Sequence, residues 1–135
     1  MTMRIFNNSI LLVLIVSLSL LFIGECSDRG KITANEVLDQ NPDADFFQYN
    51  GDIYNNMTEV DWFQKEKVDL VKHNVIGEIK KQSTSSFGFK DFTATKLPEG
   101  TKIYLTSEKE KEDDVGILIA DYEGEELYYM VLYRD

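Results

Sequence analysis

Phe46-Phe47-Gln48-Tyr49-Asn50-Gly51-Asp52-Ile53-Tyr54 is the stretch whose reading decides the fold. Two aromatic-rich runs flank Asn-Gly, the dipeptide that most readily takes the positive φ angles of a type I′ turn, so the segment reads as a tight β-hairpin. With Asn50-Gly51 as its loop, Phe47 faces Tyr54 across the pair. Aromatic cross-strand pairs of this kind contribute about 0.2–1 kcal/mol each.

Downstream, Thr58 offers an N-cap, and acidic Glu59 and Asp61 follow in what would be the first turn, where they favour the positive end of a helix dipole. Val60 and Phe63 share one face, so a helix is expected over residues 59–70, with Lys72-His73-Asn74 as its exit. Its narrow apolar stripe suits a helix lying on a sheet. Residues 75–82 are rich in β-branched side chains without helical spacing and read as a strand, followed by a serine-rich loop over 83–88. Residues 89–95 return briefly as extended chain, Leu97-Pro98-Glu99-Gly100 has turn composition, and residues 101–106 alternate with Thr101, Ile103 and Leu105 inward. A charged, solvated loop over 108–114 introduces a last hairpin, 115–122 and 125–134, about Glu123-Gly124. Both of its strands are apolar on both faces, which marks central strands covered twice. Either the sheet rolls partly closed with the helix on one side, or one face is an aromatic surface for a partner.

Upstream, Arg4 is the only charged residue of the first twenty-four and precedes an apolar run of fourteen, residues 10–23. A basic start, a short apolar centre and small residues after it make a secretory signal. A helix that spans a bilayer needs roughly 20 apolar residues, so a permanent span is the weaker reading, although an uncleaved signal anchor that borrows residues 6–9 stays open. The end of the run, Leu21-Phe22-Ile23-Gly24-Glu25-Cys26, resembles a bacterial lipoprotein signal. There a lipidated cysteine becomes the mature N-terminus, so the resemblance implies lipid attachment at Cys26. Glu25 departs from the small residue expected before the cysteine, and ordinary cleavage after Cys26 is the competing outcome. Cys26 is the only cysteine, which excludes an intramolecular disulfide. A diacylated cysteine supplies the two chains that stable anchoring takes.

Removing residues 1–25 leaves 110 residues with 13 basic and 23 acidic side chains, enough for one domain. A net charge of −10 argues against a nucleic-acid partner, whose phosphates demand a positive footprint. It argues equally against the protein itself binding an anionic surface, which leaves the lipid as the anchor. Residues 27–45 carry few large apolar side chains and read as a tether, with one short helical turn over 34–39 capped by Thr33 and with Glu36 three residues on.

Asn41-Pro42-Asp43-Ala44-Asp45-Phe46-Phe47, the strand over 76–82 and the segment over 94–104 resemble small exported proteins of Gram-positive bacilli. The likeness spans most of residues 41–134 and implies an exported lipoprotein. It brings no substrate and no catalytic residue with it.

Chemistry has few residues to work with. The lone His73 would have to serve one of Ser83, Ser85 or Ser86 for a small hydrolase, in a loop unlike a nucleophile elbow. Asn41, Asp43 and Asp45 have the alternate spacing of a calcium loop, but Phe46 stands where an EF-hand needs glycine. A polar turn is the plainer reading of those three. No His or Cys cluster exists for zinc and no cofactor is indicated. Asn56-Met57-Thr58 fits a glycosylation sequon, yet beside a bacterial-type leader Asn56 reads as turn chemistry. Phe46, Phe47, Tyr49, Tyr54, Trp62, Tyr104, Tyr122, Tyr128, Tyr129 and Tyr133 are the aromatics that either fill the core or anchor a partner.

The expected protein is α+β: an antiparallel sheet of five or six strands in hairpins and a meander, packed by one helix, after an N-terminal signal helix. Residues 1–25 are its signal peptide, 26–45 a tether and 46–135 a single globular domain. The expected role is a noncatalytic binding module of the cell envelope, lipid-anchored through Cys26 on the outer face and otherwise secreted, with an envelope or extracellular protein as partner. A calcium-binding module is one alternative and a small hydrolase the other. Intact mass of the protein recovered from membranes should give a chain that starts at Cys26 with a diacylglyceryl adduct. A chain starting at Ser27 in the medium would instead make it a released factor.

Overall fold

The computed structural model describes residues 30–66, 70–106 and 116–134. The signal segment, Cys26 and the charged loop over 108–114 lie outside the described residues. Lys31–Asp135 form one compact unit. Its elements in chain order are α1 (Ala34–Gln40), β1 (Phe46–Tyr49), β2 (Asp52–Asn56), α2 (Asp61–Glu66), β3 (Val75–Glu78), β4 (Lys81–Gln82), β5 (Thr93–Ala94), β6 (Lys102–Leu105), β7 (Ile117–Tyr122) and β8 (Glu125–Val131).

The α+β class holds, but the sheet is larger than five or six strands and not purely antiparallel. Eight strands run in the order β3-β6-β7-β8-β2-β1-β5-β4, curled into a half-barrel. Every neighbouring pair is antiparallel except β4 and β5, which are parallel. The first hairpin has the expected register, with Phe47 opposite Tyr54 and the two rings stacked at 5.5 Å. Asn50 and Gly51 take φ of 51° and 78°, the type I′ geometry that matches the strand twist. The last hairpin turns at Glu123-Gly124 as expected and lies inside the sheet, although its second strand stops at Val131.

The expected strand over 75–82 is divided between two partners. β3 pairs with β6 at one end of the strand order, and β4 pairs with β5 at the other. Only Ile79 and Lys80 intervene. The Ile79 N–H donates to the Thr101 carbonyl on the β6 side, and the next amide, Lys80, donates to the Phe92 carbonyl on the β5 side, both at 2.8 Å. Three residues of extended chain reach at most about 11 Å, so the two ends of the sheet are brought together. Phe92 closes that seam from a left-handed backbone, φ 63°, with its amide held by the Gln48 carbonyl. Its ring lies where a side chain on Gly77 would be: a Cβ there would stand 2.6 Å from Phe92 Cζ.

Curling gives the strands an inner and an outer face, and side chains alternate between them with the strand period of two. Phe47, Tyr54, Leu118, Ala120, Tyr129 and Val131 join Ile79, Ala94, Leu97, Ile103 and Leu105 in one buried inner cluster. Phe46 and Ile53 face outward under α1, with Ala34 and Ala44. Ile119 and Tyr128 face outward under Phe63 of α2. Thr101, Ile103 and Leu105 are buried as expected.

Further expectations are corrected. Helix α2 starts at Asp61 and its described part ends at Glu66, while Leu70 is not helical. Thr58 does not cap it: its hydroxyl donates to Asn56 Oδ1 and accepts the Tyr128 amide, tying the loop to β8. Residues 31–45, expected as a tether, are folded against the sheet, and α1 carries the full capping box of Thr33 and Glu36. The sheet is thus packed by two described helices rather than one. Of residues 89–95, only Thr93–Ala94 form strand.

Gly77→Ala should cost about 1–3 kcal/mol, the usual penalty of overpacking, measured by urea unfolding. In a Phe92→Leu background the same substitution should cost at least about 1 kcal/mol less, the coupling expected of residues in contact. Additive losses would show that the seam does not rest on this contact.

Candidate functional site

Helix α1 has seven residues, too few to persist alone, so packing decides where it sits. Ala34 is buried, and Val37 and Leu38, at the i+3 and i+4 positions, pack on Phe46 and Ile53. The chain after β8 runs alongside. The Leu132 amide donates to the Ile53 carbonyl, and Tyr133 forms an isolated antiparallel bridge with Lys31.

Between α1 and this C-terminal segment lies an open groove of about 570 Å³. Ile32, Val37, Ala44, Leu132 and Tyr133 supply its apolar lining, and Gln40, Asn41 and Asn55 its neutral polar groups. Tyr133 is 66% exposed. Glu36 and Arg134 form an ion pair in the lining, and the same Glu36 carboxylate accepts the Thr33 amide through its other oxygen. The Arg134 hydrogen bond, followed by the Thr33 amide, holds the Glu36 carboxyl below the ordinary glutamate range. The volume falls within the roughly 300–1,000 Å³ of small-ligand sites, and the mixture of apolar surface with a few directed polar groups suits recognition.

The fold scatters the residues proposed for chemistry. The Asn41 side chain accepts the Asp43 amide in a local turn. Asp45 accepts the Tyr129 hydroxyl at 2.9 Å on one oxygen and Asn56 Nδ2 at 2.8 Å on the other. Burial, and next the Asp45 charge, drive the Tyr129 phenol far above its ordinary pKa, so it stays a neutral donor. Asp45 is therefore engaged in holding β8 and β2 to the chain ahead of β1. Among the described residues no three His, Cys, Asp or Glu side chains gather as a metal site. The Asn56 side chain also accepts the Thr58 amide and hydroxyl, in keeping with the turn reading. His73 lies at the start of the extended stretch over 75–82 and the serines at its end. The His73 amide donates to Leu105, whereas Ser83 bonds Ala94, and Ser86 donates to Asn35 of α1.

Most of the aromatics fill the core. Phe46, Phe47, Tyr54, Tyr128 and Tyr129 are buried, Tyr49, Tyr104 and Tyr122 are half-buried, and only Trp62 and Tyr133 are exposed. Trp62 stands on α2, away from the groove in sequence and in packing cluster. A second exposed apolar area includes Val71 and Val75, beside Lys72, which lies 4.7 Å over the Tyr104 ring and pairs with Asp121. Sequence reasoning missed Ile32, Val37, Leu132 and Arg134 of the groove, and the fully presented Phe87. The apolar spacing of Ala34, Val37 and Leu38 was the available signal for Val37.

Compared with known proteins, the chain matches no family model, no curated protein and no solved structure.

Glu36 should titrate below the ordinary glutamate value when followed by carboxyl NMR. Arg134→Gln should raise that value without restoring it fully, because the Thr33 amide remains. The lowered value means that any stability from the pair is present at neutral pH and lost as the pH falls through the folded-state pKa. Since both partners are exposed, the stability change itself should be small.

Proposed function

We propose that this is an exported binding module, held on the outer face of the cell membrane through Cys26, whose groove between α1 and the C-terminal segment receives a partner. The groove is the observation that carries the binding part of the reading. It combines an exposed Tyr133, an apolar lining and an orienting ion pair in one concavity. Tyr and Arg are the anchors that interfaces favour. The leader over residues 1–25 and the resemblance to exported proteins of Gram-positive bacilli support the location.

The geometry favours an extended peptide segment of an envelope protein as the occupant. Such a segment can lay apolar side chains on Val37 and Leu132 while its backbone meets Gln40, Asn41 and Asn55. A photo-crosslinking residue placed at Tyr133 should give a discrete adduct in whole cells. Val37→Trp, which fills the groove from a half-buried position, should abolish that adduct, while a crosslinker at Trp62 should give none at either stage. Equal labelling from positions 133 and 62, unaffected by Val37→Trp, would overturn the reading.

A further inference from the structure

Asn50-Gly51 is the one Asn-Gly pair in the chain, and Asn50 is exposed at the tip of the first hairpin. An asparagine followed by glycine is open to attack on its own side chain. The next amide nitrogen, unhindered because glycine has no Cβ, reaches the side-chain amide carbon. The new C–N bond closes a five-membered succinimide, and the side-chain nitrogen leaves as ammonia. Water, the one co-reactant, then opens the ring at either carbonyl. One opening gives aspartate, the other isoaspartate, whose backbone runs through the side-chain carbon.

The attacking nitrogen is the group that the fold restrains. The Gly51 amide donates to Asp91 Oδ1 at 3.0 Å, and the same oxygen accepts Gln48 Nε2 at 3.0 Å. That nitrogen becomes a nucleophile only after losing its proton, and a carboxylate that accepts the N–H opposes the loss. Ring closure also needs rotation about the Asn50 Cα–C bond, out of the type I′ turn that Asn50 and Gly51 hold with φ of 51° and 78°. Tyr49 and Asp52 are paired on either side, so the rotation requires the turn to open. A Cβ on Gly51 would stand 2.9 Å from Lys31 Nζ, so Lys31 packs against the turn as well.

Asp91 is presented to the turn by the seam. Its neighbour Phe92 donates its amide to the Gln48 carbonyl at 2.7 Å and places its ring where a Gly77 side chain would be. The restraint on Asn50 is thereby tied to closure of the sheet.

We propose that Asn50 is a self-modification site whose reaction is held back by Asp91 while the sheet is closed, so that opening of the seam is recorded in the turn as an irreversible isoaspartate. The product carries one extra backbone carbon in a two-residue loop. It therefore alters the loop length that sets the register of Phe47 against Tyr54.

The test keeps the full chain at neutral pH in native buffer and in concentrated urea. Residue 50 is followed by peptide mass spectrometry, with an isoaspartyl methyltransferase assay for the product. In urea the rate is set by the dipeptide alone and should be the same for every variant that retains it. The folded protein should react at least about tenfold more slowly, since only the locally opened population reacts. Asp91→Ala should raise the folded rate by about threefold to tenfold, the worth of a hydrogen bond to a charged group. Gly77→Ala, far from the turn in sequence, should raise it too, because a displaced Phe92 carries Asp91 with it. Asn50→Gly, which keeps a turn-forming pair, should abolish the product. Melting temperatures establish that each variant is folded. If Asp91→Ala is not, Asp91→Asn, which removes the charge and keeps an oxygen acceptor, takes its place. A wild-type rate as fast in buffer as in urea, or a folded rate unchanged by the substitution at Asp91, overturns the proposal. A folded rate unchanged by Gly77→Ala overturns the link to closure.

Discussion

The fold depends on the hand-over of one extended stretch from one end of the sheet to the other at Ile79 and Lys80. Six antiparallel steps lead from β3 through β6, β7, β8, β2 and β1 to β5. An even number of reversals leaves β5 running in the same direction as β3. A stretch that continues from β3 into β4 can therefore meet β5 only in parallel, and β4 and β5 are parallel. That one pair is a consequence of closure, not an irregularity in an antiparallel sheet. The hand-over also supplies hydrogen bonds at two places where an open sheet would present unpaired backbone groups. Its cost is local: Phe92 sits at positive φ, unusual for a bulky residue, and Gly77 must remain without a side chain for the ring to fit.

Closure determines what the helices have to do. A curled sheet fills its interior with one set of side chains and leaves the alternate set outside. Where that outer set is apolar it needs a cover. Phe46 and Ile53 are completely or almost completely buried on the outside of the first hairpin, and burial of each such side chain contributes about 1.5–3 kcal/mol. The nearest chain that can cover them is the segment just before β1, which explains why a polar stretch with one short amphipathic turn is folded down. Ile119 and Tyr128 make the same demand on the opposite side, and Phe63 answers it from α2. The groove is a by-product of the first arrangement, since α1 and the end of β8 share the outer face of the hairpin without filling it.

The sequence was most legible where a local rule and the global fold agree. Asn50-Gly51 set both turn and register, and the two-sided apolarity of Leu118, Ile119, Tyr128 and Tyr129 placed the last hairpin inside the sheet with covers on both faces. The capping residues of α1, Thr33 and Glu36, were readable too, but not the burial of the helix they start. Composition averages over residues 27–45 and hides the three side chains, Ala34, Val37 and Leu38, that matter. Thr58 shows the opposite failure. It has cap chemistry beside a helix, yet the Tyr128 amide, seventy positions away, claims its hydroxyl. The stretch over 75–82 was read correctly as extended, but pairing partners are a property of topology and not of the stretch. The groove was illegible for the same reason, because its ion pair joins Glu36 to a residue ninety-eight positions on.

Charge gives the sharpest case of an average that conceals a distribution. A net of −10 describes the chain as a solute, yet a surface experiences only the charges that the fold turns towards it. The hand-over at Ile79 and Lys80 puts two consecutive lysines at the seam on opposite faces, and the Gly100 amide on the Ile79 carbonyl brings exposed Glu99 beside them. Asp91 in turn is tied to the first hairpin, since its carboxylate accepts the Gly51 amide of a turn that itself exists because Asn50 and Gly51 tolerate positive φ. The hairpin that decides the fold and the closure that completes it thus jointly decide which charges of distant sequence positions become neighbours, acidic and basic alike.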